Sequence, residues 1–175
     1  RYAYASALFL YKEDSGYKRI PYQIKYHGNL AVGRHFGRML GRRLSGSDIF
    51  RDVDMVIPVP LHRLRRWKRG YNQAEILAQG IAMEMRIPVR TDLLRRIRRT
   101  VTQTKLGIEA KGANVAGAFC ANIKKPDTIK GIRHVILIDD VFTTGSTMTE
   151  CFMALRQVLP KDVRISVATL CFAGA

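Results

Sequence analysis

The sequence predicts an α/β fold in which a central, mostly parallel sheet is flanked by helices on both faces. Three observations lead to this class. Strand-like and helix-like segments alternate along the chain, which is typical of a parallel sheet with helical crossovers. Residues 134–139 form a nearly continuous apolar run, as expected of a strand that is buried on both faces. A polar, glycine-containing turn and a helix-like segment follow this run, which places ligand-binding groups at the carboxyl edge of the sheet.

The first half of the chain begins the alternation. Residues 2–11 are rich in aromatic and apolar side chains and predict a strand. Residues 54–57 predict a short buried strand that Pro58 and Pro60 stop, since proline cannot donate to a strand ladder. Apolar periodicity predicts three helices, at residues 17–26, 30–44 and 72–85. Asn72 can cap the third of them.

The second half of the chain continues the alternation of strands and helices. Three segments predict strands, at residues 90–97, 115–121 and 163–172. Residues 146–159 predict a helix that ends before Pro160. Residues 98–114 are polar, contain glycine and lack clear periodicity, so they predict a long loop, and such loops in compact domains usually carry function.

Length and composition predict a single domain over residues 1–175. Within it we expect a hood at residues 1–46 and a core at residues 47–175. A chain of 175 residues with 47% hydrophobic side chains is long and apolar enough for a sizeable core. Its apolar runs are strand-length, so no membrane insertion is expected. The first residues lack the ordered regions of a signal peptide, although the chain starts at Arg1. We therefore expect a cytoplasmic protein.

The cysteines and histidines show no pattern of metal ligands. The three cysteines are dispersed, and the four histidines have no ligand spacing. A disulfide framework and a zinc site are therefore not expected, and reduced thiols suit the cytoplasm.

The charge balance is strongly basic. Thirty Lys and Arg residues stand against 14 Asp and Glu residues, a formal net charge of +16. Such a surface attracts polyanions. Two interpretations stay open at this point: the chain binds nucleic acid, or its basic residues surround a site for substrates that carry phosphates.

The stretch from Val135 to Thr147 has the pattern of a ligand site. Four apolar residues are followed by Asp139 and Asp140, two apolar residues and the turn Thr-Thr-Gly-Ser-Thr at residues 143–147. Free backbone N–H groups and the helix dipole make such a turn an anion site. The paired carboxylates would repel phosphate, but they suit neighbouring hydroxyl groups or a divalent cation. A phosphate beside a vicinal diol is ribose 5-phosphate, so the motif predicts a phosphoribosyl site.

Three other interpretations compete for this motif. An apolar strand ending in two aspartates also occurs as a Walker B strand, but the chain lacks the Gly-x-x-x-x-Gly-Lys-Ser/Thr loop that must accompany it. The acidic pocket of a receiver domain does not explain the Thr-Thr-Gly-Ser-Thr turn. An ordinary strand–turn–helix with accidental polar residues stays open.

The motif closely resembles the signature of type I phosphoribosyltransferases. The resemblance implies a type I phosphoribosyltransferase-like fold and the substrate 5-phosphoribosyl-1-pyrophosphate (PRPP). It makes Asp139 and Asp140 the catalytic residues, which bind the ribose hydroxyls and hold Mg²⁺ indirectly or through those hydroxyls. Phosphoribosyl binding would also involve a second set of residues: Val141, Thr143, Thr144, Gly145, Ser146 and Thr147.

Further motifs resemble the ComF family of competence-related proteins and the related GntX proteins, which are phosphoribosyltransferase-like. They are Ile-Lys-Tyr-His-Gly at residues 24–28, Ile-Pro-Val-Pro-Leu at 57–61, Arg-Gly-Tyr-Asn-Gln-Ala at 69–74, and Thr100, Gln103, Leu106, Asn114 and Ala118-Phe119 around the long loop. Two departures stand out. Family members usually carry an N-terminal zinc ribbon that these residues do not include. The family's loop arginine falls on Lys111, which keeps the charge but loses the planar fork.

The proline turn and the basic segment after it are placed like the pyrophosphate loop of type I enzymes. The expected pyrophosphate contacts are Pro58, Val59, Pro60, Leu61, Arg69, Tyr71 and Asn72. For Arg63, Arg65 and Arg66, phosphate contact and a solvated basic turn are equally consistent with the sequence. Trp67 either stacks on a base or packs its ring on the surface.

The long loop closes over the substrate in type I enzymes and excludes water. By the resemblance, its contributing residues here would be Arg99, Thr102, Gln103, Lys105 and Lys111.

Two functions follow from these patterns. The first is an enzyme that binds PRPP with Mg²⁺ and transfers the phosphoribosyl group to a nitrogen nucleophile. The alternative is a basic single-stranded DNA-binding competence factor that keeps the site as a ligand sensor or scaffold and grips the strand through Arg95, Arg96, Arg98 and Arg99. The sequence names no acceptor, and it leaves open whether the chain forms a homodimer or joins a partner of the competence machinery.

Overall fold

The computed structural model describes residues 1–10, 19–26, 28–98, 117–121, 123 and 129–173. In chain order, the elements of these residues are β1 (Ala5–Leu10), α1 (Arg19–Tyr26), α2 (Leu30–Ser45), β2 (Met55–Pro58), α3 (Arg63–Arg69), α4 (Gln73–Met85), β3 (Leu94–Arg96), β4 (Phe119–Ala121), β5 (His134–Phe142), α5 (Ser146–Arg156) and β6 (Arg164–Phe172).

The central sheet has the strand order β1-β6-β5-β2, and each neighbouring pair is parallel. Strand β5 is therefore paired on both sides, with Ile138 opposite Pro58 of β2 and Ala168 of β6. Strands β3 and β4 lie outside this sheet and form an antiparallel pair. The predicted α/β class with a central parallel sheet is confirmed.

Helices cover both faces of the sheet. Side chains of β5 alternate between two buried clusters because successive residues of a strand point to opposite faces. Val135 and Leu137 pack in the cluster that contains Leu155 of α5, whereas Ile136 and Ile138 pack in the cluster that contains α2 and α4. This arrangement leaves the carboxyl ends of the strands as an edge that loops can surround.

The described residues of the segment 1–46 contribute to several parts of the structure. Strand β1 belongs to the central sheet, and helix α2 packs against α4 with Leu40 and Leu44 buried. Among the described residues of this segment, Lys25 of α1 and Gly28 line the cleft at the carboxyl edge. The division into a hood and a core stays a prediction, and β1 and α2 contribute to the core.

One helix was not predicted. The basic segment after His62, for which the sequence predicted no helix, forms the seven-residue helix α3. The side chain of His62 accepts a hydrogen bond from the backbone N–H of Leu64 and so caps the helix. Gly70 ends it in the left-handed region with φ of 83°.

The amino end of β5 is closed by a polar network. His134 is fully buried, with Nδ1 2.9 Å from Asp52 Oδ1 and Nε2 2.7 Å from Ser166 Oγ. The rings of Tyr4 and Phe50 pack beside the imidazole, at centroid distances of 6.1 and 6.3 Å. Ser166 is also fully buried, so this Asp–His–Ser series serves the structure and offers no access to a substrate.

Within the described ranges, no helix combines the length and apolar character needed to cross a membrane.

Candidate functional site

A cleft of about 780 Å³ opens at the carboxyl ends of β2 and β5. It is lined by Lys25, Gly28, Val59, Pro60, Leu61, Arg65, Lys68, Arg69, Tyr71, Asn72, Gln73, Arg96, Asp139, Asp140 and Thr147. Five of these residues are Lys or Arg and two are Asp, so the cleft is basic with an acidic floor. Such a lining suits a ligand that carries several phosphates and also presents hydroxyl groups.

The structure brings together many of the residues that the sequence predicted. Asp139, Asp140 and Thr147 line the same cleft as the predicted pyrophosphate contacts from Val59 to Leu61 and from Arg69 to Asn72. Pro58, Val141 and the rest of the turn lie next to lining residues but are not among them. The predicted loop contacts, Arg99, Thr102, Gln103, Lys105 and Lys111, lie outside the described residues. The binding roles of all these residues stay predictions.

The turn between β5 and α5 has the geometry of an anion site. Gly145 stands at the N-cap of α5 with φ of 76° and has no side chain to satisfy the first backbone N–H groups of the helix. A Cβ at this position would lie 2.6 Å from the ring of Phe142, so any other residue would have to displace that ring and also adopt a strained positive φ. The hydroxyl groups of Thr144 and Ser146 lie 2.9 Å apart. These N–H and O–H donors can bind a phosphate together.

The two carboxylates at the end of β5 differ in their surroundings. Asp140 is 3% exposed. Asp139 is partly buried, and its Oδ1 accepts a hydrogen bond of 2.8 Å from the backbone N–H of Asp140. Burial, and then the charge of Asp140, raise the pKa of Asp139 to about 8. A ligand that needs Asp139 ionised would therefore release a proton on binding near neutral pH.

Lys25 is a site residue for which the sequence predicts no role. Its Nζ lies 2.5 Å from Asp140 Oδ2, and this buried oxygen has no partner at hydrogen-bond angles among the described residues, so the contact is an ion pair. Burial acts to lower the pKa of Lys25, but the charges of Asp140 and Asp139 leave that pKa raised. Lys25 lies within the Ile-Lys-Tyr-His-Gly motif, yet a single lysine in a helical pattern is usually a solvated residue.

Tyr71 and Asn72 build the wall opposite the carboxylates. The Tyr71 hydroxyl donates to the backbone carbonyl of Ile24 and so ties α1 to the start of α4. Asn72 is 2% exposed; its Oδ1 accepts from the N–H of Ala74, and its Nδ2 donates to the carbonyl of Val59 at 3.0 Å. The amide of Asn72 thus already holds the proline turn in place.

The arginines near α3 do not share one role. Arg69 lines the cleft and donates to Gln73 Oε1 at 2.5 Å, whereas Arg66 forms two hydrogen bonds with the carboxylate of Glu75, at 2.9 and 3.1 Å. Trp67 is 86% exposed, so its ring does not pack against the protein surface.

Arg96, which the sequence placed in a second basic cluster, lines the cleft from β3. Its guanidinium carbon lies 5.1 Å from the centroid of the Phe119 ring. Burial, and then the charge of Arg65, lower the pKa of Arg96. Arg96 therefore adds a partly buried positive charge to the cleft, whereas Arg95 and Arg98 are exposed.

Asp139 and Asp140 fit Mg²⁺ that is shared with a ligand. The described residues hold no group of three or more His, Cys, Asp or Glu side chains that could bind a metal by themselves. Mg²⁺ usually keeps several waters and binds through one or two carboxylates together with substrate phosphates. Asp139 and Asp140 both line the cleft beside its basic residues, which agrees with such a site.

No family model matches the chain, but several relatives do. Competence protein F of Haemophilus influenzae is 36% identical over 112 residues, which are 64% of this chain and 48% of the relative. DNA utilization protein YhgH of Escherichia coli O157:H7 is 30% identical over 156 residues, 86% of this chain and 63% of the relative. Competence protein ComFC of Streptococcus pneumoniae is 25% identical over 80% of this chain and 57% of its own length. The chain thus spans roughly half to three fifths of these relatives.

Solved phosphoribosyltransferase structures are similar to the chain. A glutamine PRPP amidotransferase of B. subtilis covers 79% of this chain and 26% of its own, at 18% identity and a TM-score of 0.48. An adenine phosphoribosyltransferase of Trypanosoma brucei covers 83% of this chain and 66% of its own, at 13% identity and a TM-score of 0.47. These scores lie below 0.5, so the fold class rests on the sheet order and helix placement of the chain itself.

The parallel sheet, its flanking helices and the aspartate pair with the helix-capping turn define a phosphoribosyltransferase-like α/β protein. The named relatives narrow this class. They confirm the resemblance to the ComF family, and the chain is a ComF-family protein.

Proposed function

We propose that this chain binds PRPP together with Mg²⁺ and transfers the phosphoribosyl group to a nitrogen nucleophile. One observation supports this most. The carboxylates of Asp139 and Asp140 and the turn at Thr147 share one cleft with the basic wall around Arg69. PRPP carries a diol between two phosphate-bearing ends, and the cleft offers acceptors between two groups of donors.

Each part of the cleft has a task in this proposal. Asp139 and Asp140 accept hydrogen bonds from the ribose hydroxyls, while residues 143–147 hold the 5-phosphate. Arg69 and the backbone of the proline turn hold the pyrophosphate, where their positive charge and dipoles stabilise the charge that develops as it leaves. Mg²⁺, when bound, would neutralise part of that charge.

The reaction is a displacement at the anomeric carbon. The bond from this carbon to the pyrophosphate oxygen breaks, and pyrophosphate leaves with the bonding electrons. The nitrogen of the acceptor forms the new bond and loses its proton to water. The protein contributes orientation and electrostatic stabilisation in this scheme.

Calorimetric titration of PRPP with Mg²⁺ tests the binding step. The wild type should bind, and the variant carrying both Asp139→Asn and Asp140→Asn should not. Asp48→Asn is the matched control because the side chain of Asp48 is 84% exposed and pairs with Arg51 rather than with the cleft. Wild-type protein that fails to bind PRPP would contradict the proposal.

A second assay separates turnover from binding. Pyrophosphate release should be measured with PRPP, Mg²⁺ and a panel of nitrogen nucleophiles. Release with one acceptor class supports transfer. Tight binding without release against the whole panel favours a protein that senses PRPP.

A second candidate function is the binding of single-stranded DNA. The exposed Trp67, Arg95 and Arg98 favour it, since exposed cations and aromatic rings suit a flexible polyanion with bases. Relatives named for competence and DNA utilization point the same way. Affinity for an oligonucleotide should then fall steeply with salt, and the slope should flatten when Arg95, Arg96, Arg98 and Arg99 are replaced by Gln. An unchanged slope would count against this function.

A further inference from the structure

We infer that Lys25 is a built-in cation of the phosphoribosyl site, a positioning residue that balances Asp140 and partly replaces Mg²⁺ in ligand binding. The inference rests on the proposed function and deepens it. It concerns a residue outside the strand–turn–helix motif, because Lys25 comes from α1, more than a hundred residues before Asp140 in the chain.

The first argument is electrostatic. Asp140 is 3% exposed, and a buried carboxylate without a partner is costly to the fold. Lys25 Nζ lies 2.5 Å from its Oδ2, close enough to supply the countercharge. The same ammonium group also favours the ionised form of the adjacent Asp139, whose charge appears when that carboxyl group loses its proton. The pair is therefore part of the floor of the cleft.

The second argument is that the fold holds Lys25 in this position. The Tyr71 hydroxyl binds the carbonyl of Ile24, the residue immediately before Lys25. On the other side, Gly28 turns the chain with φ of 62°, and Asn29 caps α2 by accepting from the N–H of Val32 at 3.1 Å. Lys25 thus lies between two anchored points.

The third argument concerns the charge of the ligand. The carboxylate of Asp140, and that of Asp139 once it is ionised, repel a ligand that carries phosphates at both ends. A cation directly beside these carboxylates therefore favours the approach of the ribose part. Mg²⁺, when bound, is one source of that positive charge. Lys25 supplies it from the protein, at 2.5 Å from Asp140 Oδ2. Lys25 and Mg²⁺ should then substitute for each other in part.

The first test is a cycle of PRPP titrations on wild type and Lys25→Met, each with saturating Mg²⁺ and with a chelator. We expect chelation of Mg²⁺ to weaken PRPP binding to the wild type by less than about tenfold. The same chelation should weaken PRPP binding to Lys25→Met by a factor that is at least about ten times larger than the wild-type factor. Lys25→Arg should keep the wild-type dependence because it keeps the charge. If PRPP binding depended on Mg²⁺ equally in wild type and Lys25→Met, the inference would be overturned.

The second test needs no PRPP. Without Lys25, the carboxylates should attract Mg²⁺ alone, so Mg²⁺ should raise the Tm of Lys25→Met and leave the wild type unchanged. Adding Asp140→Asn to Lys25→Met should remove this stabilisation. Mg²⁺ that stabilises wild type and Lys25→Met equally would also overturn the inference.

The PRPP titrations and the Tm measurements distinguish a failure of the proposed function from a failure of the inference about Lys25. If PRPP fails to bind wild type even with Mg²⁺, the proposed function fails, and the Tm arm still tests the exchange of Lys25 for Mg²⁺. If Lys25→Met folds only when Mg²⁺ is present, that rescue supports the inference directly. If it folds under neither condition, the wild-type titration decides: loss of PRPP binding on chelation by about a hundredfold or more would contradict a built-in cation.

Discussion

Gly37 of α2 and Gly80 of α4 meet across the helix pair, so closely that a Cβ added to Gly80 would lie 2.8 Å from the carbonyl carbon of Gly37. The same added atom would lie 2.7 Å from the backbone oxygen of Arg34. The two helices therefore pack backbone to backbone, and this contact fixes how α4 delivers Asn72 to the cleft.

Gly80→Ala should destabilise the protein by about 1–3 kcal/mol, because the new methyl group meets backbone that cannot move aside. Chemical denaturation measures this. Gly33→Ala is the matched control in the same helix pair, since its Cβ would meet the side chain of Ile76, which can adjust more easily, and its loss should be smaller. Stability of Gly80→Ala equal to that of the wild type would show that the helices can separate at little cost.

The stability of the protein should depend on His134 in mildly acidic solution. Burial lowers the pKa of His134 below its ordinary value of 6.5, against the opposing charge of Asp54. The folded state therefore takes up a proton less readily than the unfolded state. As the pH falls below 6.5, protonation of the unfolded state lowers the free energy of unfolding.

Unfolding of wild type and His134→Gln across this pH range checks the prediction. The stability advantage of the wild type should shrink as the pH falls. His35→Gln, at an exposed position, serves as the control and should follow the wild type. A constant difference between wild type and His134→Gln would mean that this imidazole does not titrate differently in the two states.

Gly145→Ala should weaken binding of ribose 5-phosphate by about tenfold or more. The added Cβ meets the Phe142 ring at 2.6 Å, and the positive φ of 76° adds strain, so we expect the ring or the phosphate turn to shift. Gly131→Ala is a close control, because Gly131 also has a positive φ, of 78°, but nothing lies within 4 Å of its Cβ. Both variants should lose stability, and calorimetry should show lost affinity in Gly145→Ala alone.

Arg69→Gln should weaken binding of inorganic pyrophosphate by about tenfold or more, whereas Arg66→Gln should change it little. Arg69 lines the cleft, and Arg66 is engaged by Glu75. The Arg66 variant should also lose some stability, because it breaks two hydrogen bonds to Glu75, whose side chain is 15% exposed. Equal losses of affinity would indicate that the total charge of α3 matters more than the position of each arginine.

The sequence was most informative where periodicity was strong. The apolar run before Asp139 predicted a strand buried on both faces, and β5 is paired on both sides. The caps of α4 could also be predicted, since Asn72 is a preferred N-cap residue and performs that role. Local patterns of this kind are set by nearby residues, so a sequence window contains them.

Features that depend on distant segments were missed. Helix α3 is short and basic, with no apolar stripe to reveal it, and it depends on the His62 cap and the turn at Gly70. The pairing of β3 with β4 brings Arg96 into the cleft, whereas composition placed it in a basic cluster with its neighbours. Lys25 was missed for the same reason, because only the tertiary fold sets it beside Asp140.

Strand β5 begins at a closed network around His134 and ends at an open cleft at Asp140. Folding therefore constrains the first of its nine residues, and ligand binding constrains the last ones. Substitutions near His134 are judged by whether the chain folds, and substitutions near Asp140 by what the chain can bind. A library confined to the carboxyl end could change ligand preference while the amino end keeps the scaffold intact.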